Sequence, residues 1–217
     1  LKPYCSSGEE AFLRGAAGEI RVDRLSATLF VSRLQRSASL DTAGMITSFS
    51  SGGLFRTDAE LDRKNNVTER IAGIRFLLGL ADESSVGATW YASDYSRPLR
   101  LDHGSAGSRR KFASLDYHIG TSRTAFFGEW GGSSGAIGGI SGLLLRPLRG
   151  IEVVAAVRHY PRELDNLRGL PLSERSSNET GAYLGLRLRF AGAGSLSTFY
   201  DRFSSPGLSF SGDELLL

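Results

Sequence analysis

The chain of 217 residues has one cysteine, Cys5, so no internal disulfide and no cysteine-based zinc site can form. It contains no apolar run of about 18 residues, which excludes membrane-spanning helices but not spanning strands, whose signal is alternation. Its histidines are His103, His118 and His159, with neither an HExxH motif nor an Asp/His cluster, so no metal is expected. No cofactor motif is present either. Lysine is scarce, only Lys2, Lys64 and Lys111, although soluble sheets often guard their edges with it. Basic and acidic residues nearly balance, 26 against 23, and the arginines are scattered between acids, so composition does not point to nucleic acid. The opening "LKPYCSSGEE" lacks an initiator Met, a basic segment and an apolar segment, so no signal peptide is read there.

Glycine is plentiful, 27 residues, and most of it sits inside alternating runs rather than in linkers. In "ETGAYLGLRLRF", from Glu179 to Phe190, Thr180, Ala182, Leu184, Leu186, Leu188 and Phe190 share one parity, while Glu179, Gly181, Tyr183, Gly185, Arg187 and Arg189 share the other. Such a period of two is the mark of a strand with unlike faces. It recurs over 17–23, 26–36, 69–80, 85–95, 111–120, 123–131, 137–145, 151–160, 179–190 and 195–203, which predicts about ten strands. Several reach the 9 to 11 residues that a tilted strand needs to cross a membrane, against about five to six in soluble sheets. The stretch 137–145 mixes Gly with Ile and Leu on both parities, so a bulge or register change is expected there.

Short connections alternate along the chain with the long ones at 37–68, 96–110 and 161–178, while 131–136 is intermediate. This predicts an all-β, up-and-down antiparallel sheet of the outer-membrane barrel type, with short turns at one end and long loops at the other. Residues 1–16 are read as a linker or the end of a preceding region, 17–203 as the barrel region, and 204–217 as the start of a truncated further segment.

An arginine at the lipid midplane costs about 2 to 4 kcal/mol, so the arginines should point inward. The expected lumen-lining set is Glu19, Arg21, Arg75, Asp116, His118, Glu129, Arg158, Arg187, Arg189 and Asp201. The expected lipid-facing set is Ile74, Phe76, Leu78, Leu115, Val153, Leu184, Leu186 and Leu188. Trp90, Tyr95, Trp130, Tyr160 and Tyr200, near strand ends, suit interfacial girdles.

In the first long loop, "TDAELDRK" has the capping-box form, with Thr57 as N-cap and Glu60 three residues on, and predicts a short helix that orders the loop. "GGSSGAIGGISG" lacks the Gly-Lys-Ser/Thr ending of a phosphate loop and reads as a turn with a Gly-rich strand. Asn66 and Asn178 sit in glycosylation sequons, a pattern short enough to occur by chance. His103, after Asp102 in a long loop, is the best placed base for a barrel hydrolase, yet no Ser spacing offers a nucleophile, and the chain is read as a non-enzyme. A soluble β-sandwich or carbohydrate-binding module is the competing fold, in which the apolar face would form a dry core and Arg75 and Arg187 would lie outside.

Two stretches, from Ser50 to Phe76 and from Val157 to Phe210, carry a further pattern: Gly53, Leu54, Arg56, Thr57 and Glu60; Arg158 and Tyr160; Ser173, Glu174, Asn178, Glu179, Gly181, Tyr183 and Gly185; Tyr200, Asp201, Phe203, Pro206 and Leu208. It resembles the C-terminal barrel region of large bacterial envelope proteins with helix-hairpin-helix, competence-type DNA-binding domains. Phe55 stands where that pattern has His, and Ser204 and Ser205 where aromatics are usual. The resemblance covers most of the chain from about Gly15 and implies a fragment whose helix-hairpin-helix part would precede residue 1. It implies DNA as a partner of that missing part, outer-membrane lipid as the partner of these residues, and the bacterial outer membrane as location. The expected role is envelope transport, adhesion or an accessory part in DNA handling.

Overall fold

Side chains that alternate between two environments favour extended backbone, and long alternating runs give long strands. The computed structural model describes residues 13–50, 55–81, 83–100, 106–133, 135–164, 168, 172, 178–190, 194–205, 207 and 210–216. Gly53, Leu54, His103, Ser173, Glu174, Pro206 and Leu208, singled out above, lie outside them.

The strands are β1 (Gly15–Val22), β2 (Leu25–Arg36), β3 (Ala38–Leu40), β4 (Ile46–Phe49), then a single helical turn α1 (Asp58–Leu61), followed by β5 (Val67–Ala81), β6 (Ser84–Leu99), β7 (Gly107–Gly120), β8 (Thr124–Ser133), β9 (Ala136–Leu145), β10 (Ile151–Tyr160), β11 (Glu179–Phe190), β12 (Gly194–Ser205) and β13 (Phe210–Leu216). They form one sheet in the order β1-β2-β5-β6-β7-β8-β9-β10-β11-β12-β13, with β3 on β4 and β4 also bridged to β6. Sequential neighbours from β7 to β13 pair antiparallel, as an up-and-down meander requires. The protein is therefore all-β and up-and-down.

Among the described residues, thirteen strands replace the ten expected. The additions lie where loops or a truncated segment had been read: β3 and β4 inside 37–68, and β13 inside 204–217. β3 is held by Asn66, which accepts from the Ala38 amide and donates to its carbonyl, so this sequon asparagine is part of the scaffold. The loop read at 96–110 shortens to 100–106, because β6 runs on to Leu99 and β7 begins at Gly107. The intermediate connection shortens as well, since β8 runs to Ser133 and Ser133 pairs with Ala136 at the start of β9.

β9 also departs from expectation. It pairs in unbroken register with β8, from Ser133↔Ala136 to Thr124↔Leu145. The glycines that blurred its parity make room for aromatic side chains of β8. A Cβ on Gly142 would lie 2.4 Å from Phe127 Cζ, and one on Gly139 2.8 Å from Trp130 Cδ2. A register shift is present between Ser39 and Leu40, where β3 pairs with β4.

Residue contacts divide the chain into two compact units. One comprises 1–19, 28–74 and 90–111 and has an apolar core of Ala38, Ile46, Val67, Ile71 and Leu99. The other comprises 20–27, 75–89 and 112–217; its buried apolar side chains include Ala125, Ala156, Tyr160 and Phe203.

Candidate functional site

In the second unit the two faces of the sheet have opposite characters. Register aligns Ile119, Phe126, Leu143, Ala155, Leu184, Tyr200 and Leu215, one from each of seven successive strands, in a single cross-strand row. All but the half-buried Leu143 are exposed, Leu184 by 53%. On the other face Arg158 is 3% exposed and Glu179 0%. Charges are inside and large apolar groups outside, the reverse of a soluble sheet.

The buried cluster spans β10, β11 and β12. Arg158 donates from Nε to Glu179 Oε1 at 2.8 Å and from Nη1 to Asp201 Oδ1 at 2.8 Å, and its guanidinium carbon lies 5.9 Å from the centroid of the Phe203 ring. Gly181, directly opposite Arg158, makes this reach possible: a Cβ there would lie 2.5 Å from Arg158 Cζ. Two carboxylates around one guanidinium supply the charge-assisted bonds that a desolvated arginine needs.

The same construction occurs further up the chain. Arg75 on β5 makes a bidentate contact with Asp116 on β7, Nη1 to Oδ1 at 2.6 Å and Nη2 to Oδ2 at 2.8 Å, and Nη1 also donates to Thr89 on β6. Gly87 on β6 leaves the space, since its Cβ would come within 2.5 Å of Asp116 Oδ1. In both places an arginine crosses one strand, over a glycine, to an aspartate on the next.

The first unit has its own buried cluster. Arg36 lies 3.7 Å from Glu69, Tyr95 donates to Glu69 Oε1 at 2.8 Å, and Arg36 stacks over Phe49 with its guanidinium carbon 3.8 Å from the ring centre. Glu69 is fully buried, and it was missed in the sequence although it shares the parity of Arg75 on β5. Its signal was position: like Glu179, it is an acid near the start of a strand that follows a long loop.

Of the residues expected to line a lumen, Arg158 is thus paired with Asp201, and Arg75 with Asp116. Arg187 and Arg189 share the parity of the charged face but stand half out at the short-turn end around Glu152, at 3.8 Å and 3.0 Å. Glu129 and His118 are on the charged face and accessible, while Glu19 and Arg21 are exposed on β1, where Glu19 accepts from Thr28. Phe76, Leu78, Leu115 and Leu184 are exposed; Ile74, Val153, Leu186 and Leu188 are half-buried on that same outward parity. The girdle reading fails for Tyr95 and Tyr160, which are buried because their parity places them on the charged face, whereas Trp90 and Tyr200 are exposed. Outward Ser141 is satisfied by Tyr117 at 2.6 Å and Trp130 at 2.9 Å.

The loop helix has the full capping box: Thr57 accepts from the Glu60 amide, and Glu60 accepts from the amides of Arg56 and Thr57 at 2.7 and 3.0 Å. The Arg56 amide first, then that of Thr57, holds the Glu60 carboxyl below its ordinary range. His159 shares a hydrogen with the Thr180 hydroxyl at 2.8 Å. Among the described residues no group of three His, Cys, Asp or Glu side chains is placed to hold a metal. The chain matches no protein-family model, no curated protein and no solved structure with which it was compared. In the two arginine clusters of the second unit each guanidinium is compensated by carboxylates within hydrogen-bonding distance.

Proposed function

We propose that this chain is a membrane-spanning β-barrel of the bacterial outer membrane, or consecutive strands of one. Its apolar face meets lipid, and its ion-paired face lines a braced interior. The observation that carries this reading is the row from Ile119 to Leu215, which crosses seven strands and is exposed on all of them but β9, while Arg158 and Glu179 are buried behind it. In water that arrangement would forfeit the burial of its large apolar side chains and desolvate its charges. In a bilayer each face meets the medium it prefers.

Strand length supports the same reading: β5, β6 and β7 have 15, 16 and 14 residues, enough to cross a bilayer at a tilt. Closure, directly or through further strands, would satisfy the edges that β1 and β13 present at the ends of the path. An interior filled by paired charges favours an anchor or a narrow polar pathway over a wide pore. Five residues on which the family resemblance rests, Arg158, Glu179, Gly181, Asp201 and Phe203, meet in the one buried cluster. That supports membership of the helix-hairpin-helix envelope proteins, in which this barrel would anchor a DNA-handling part.

Refolding the full chain from denaturant, with and without detergent micelles or lipid vesicles, tests the proposal. Native β-structure and heat-modifiable migration on gels are expected only with the amphiphile. A folded monomer in plain buffer would defeat it.

A further inference from the structure

At the short-turn end of β8 to β11 the second unit forms an open bowl of about 730 Å³, with Arg123, Arg146, Arg149 and Arg189 in its lining against one acid, Glu152. Glu152 has the parity of Arg158 on β10, and Arg189 that of Glu179 on β11, so these walls belong to the charged face and not to the apolar one. The floor is held by backbone bonds: the Arg146 amide donates to the Arg123 carbonyl at 2.7 Å, and the Arg189 amide to the Gly150 carbonyl at 2.7 Å. Gly150 has φ +84, a left-handed turn position that glycine adopts without strain.

The walls are fixed by side chains. Arg146 donates from Nε to Glu152 at 3.1 Å and from Nη1 to the Ser122 carbonyl at 3.2 Å, and Arg189 reaches both Glu152 oxygens at 3.0 Å. The carboxylate in the lining is thus taken up by two arginines. Arg123 and Arg149 have no side-chain partner among the described residues.

Charge decides the class of ligand. Four guanidinium groups against one carboxylate leave three positive charges unbalanced. The arginine clusters elsewhere on this face differ, since Arg158 meets two carboxylates and Arg75 one. A monovalent anion offsets little of that excess, whereas a phosphate group carries about two negative charges at neutral pH and has oxygens that match the guanidinium fork.

Deeper on the same face of this unit the balance reverses, because Asp116, Glu129, Glu179 and Asp201 outnumber Arg75 and Arg158. An anion drawn to the bowl meets like charge beyond it, so the bowl holds its ligand rather than passing it on.

We propose that this bowl is a binding site for a dissolved phosphate-bearing anion: Arg123 and Arg149 donate to its oxygens, and Arg146 and Arg189, held by Glu152, form its cationic walls. The inference goes beyond the membrane reading and needs only the fold of the second unit.

The test is calorimetric titration of inorganic pyrophosphate into the full chain, folded in plain buffer or in uncharged maltoside micelles, whichever keeps it native. Saturable binding that weakens with added salt is expected. R123Q/R149Q should lower the affinity roughly twenty-five-fold, at about fivefold for each exposed charge pair lost. R33Q/R202Q removes the same net charge from exposed positions outside the bowl and should bind as the wild type does. Failure of the wild type to bind pyrophosphate more tightly than chloride overturns the site, as does an equal loss in the two double variants. Phosphatidylglycerol added to the micelles is expected to leave the affinity unchanged; competition assigns the bowl to a lipid headgroup and overturns the dissolved ligand. None of these results depends on whether the chain needs an amphiphile to fold, so the membrane reading stands or falls separately.

Discussion

Arg158 on β10 and Asp201 on β12 meet at 2.8 Å across the strand that separates them, and Gly181 of that strand is the gap through which they meet. Arg75 and Asp116 repeat the relationship over Gly87. A polar face built this way uses glycine as a spacer, so its glycines are as much part of the site as its charges.

Gly181→Ala should accordingly be destabilising by about 1 to 3 kcal/mol, because the guanidinium that its methyl would strike is pinned by two carboxylates and cannot move aside. Gly18→Ala, where a Cβ meets nothing within 4 Å, should be close to neutral. Urea unfolding of both variants in lipid vesicles compares them, and equal stability would refute the spacer role.

Leu184→Arg places a cation in the middle of the exposed row and should cost about 2 to 4 kcal/mol in a bilayer, while Thr180→Arg, four residues towards the strand end, should cost about 0 to 1 kcal/mol. At a soluble surface both would stay within about 0.5 kcal/mol. The depth dependence, read from unfolding in vesicles of one lipid, separates the two environments.

Glu179→Gln leaves part of the Arg158 charge uncompensated and should cost about 3 to 5 kcal/mol. Combining it with Arg158→Met and Asp201→Asn should cost less than the separate losses added, since the three groups form one network. An additive triple variant would show that the groups act independently.

The loop helix gives a pH signature. The Glu60 carboxyl is depressed by the Arg56 and Thr57 amides, so its contribution is fully present above the 4.5 of an unperturbed glutamate and is lost as the pH falls through its lower folded value. Hydrogen exchange should show the Arg56 and Thr57 amides losing protection in that acid window, and Glu60→Gln should flatten the change. Thr57→Ala should weaken the same turn by about 1 kcal/mol at every pH.

Much of this was legible residue by residue. The parity of β11 assigned Leu184 and Arg187 to opposite faces, and the spacing of Thr57 and Glu60 marked the capped turn. The parity of β9 was not, because Gly139 and Gly142 are filled by Trp130 and Phe127 of the neighbouring strand, and a single strand carries no record of its neighbour's side chains. Tyr95 was misread for a related reason: position near a strand end suggests an interface, but its hydroxyl belongs to Glu69, distant in sequence. Glu69 itself needed only its parity with Arg75 to be followed back to the start of β5.

By itself the sequence determined the ten long strands and, outside β9, which side chains share a face, because a period of two is a local property of extended backbone. Tertiary structure alone decided that the face with Arg158 is buried and the face with Leu184 is exposed, and which acid each arginine reaches. Those outcomes depend on register between strands and on the desolvation of groups brought together from far along the chain, and neither is encoded within one strand.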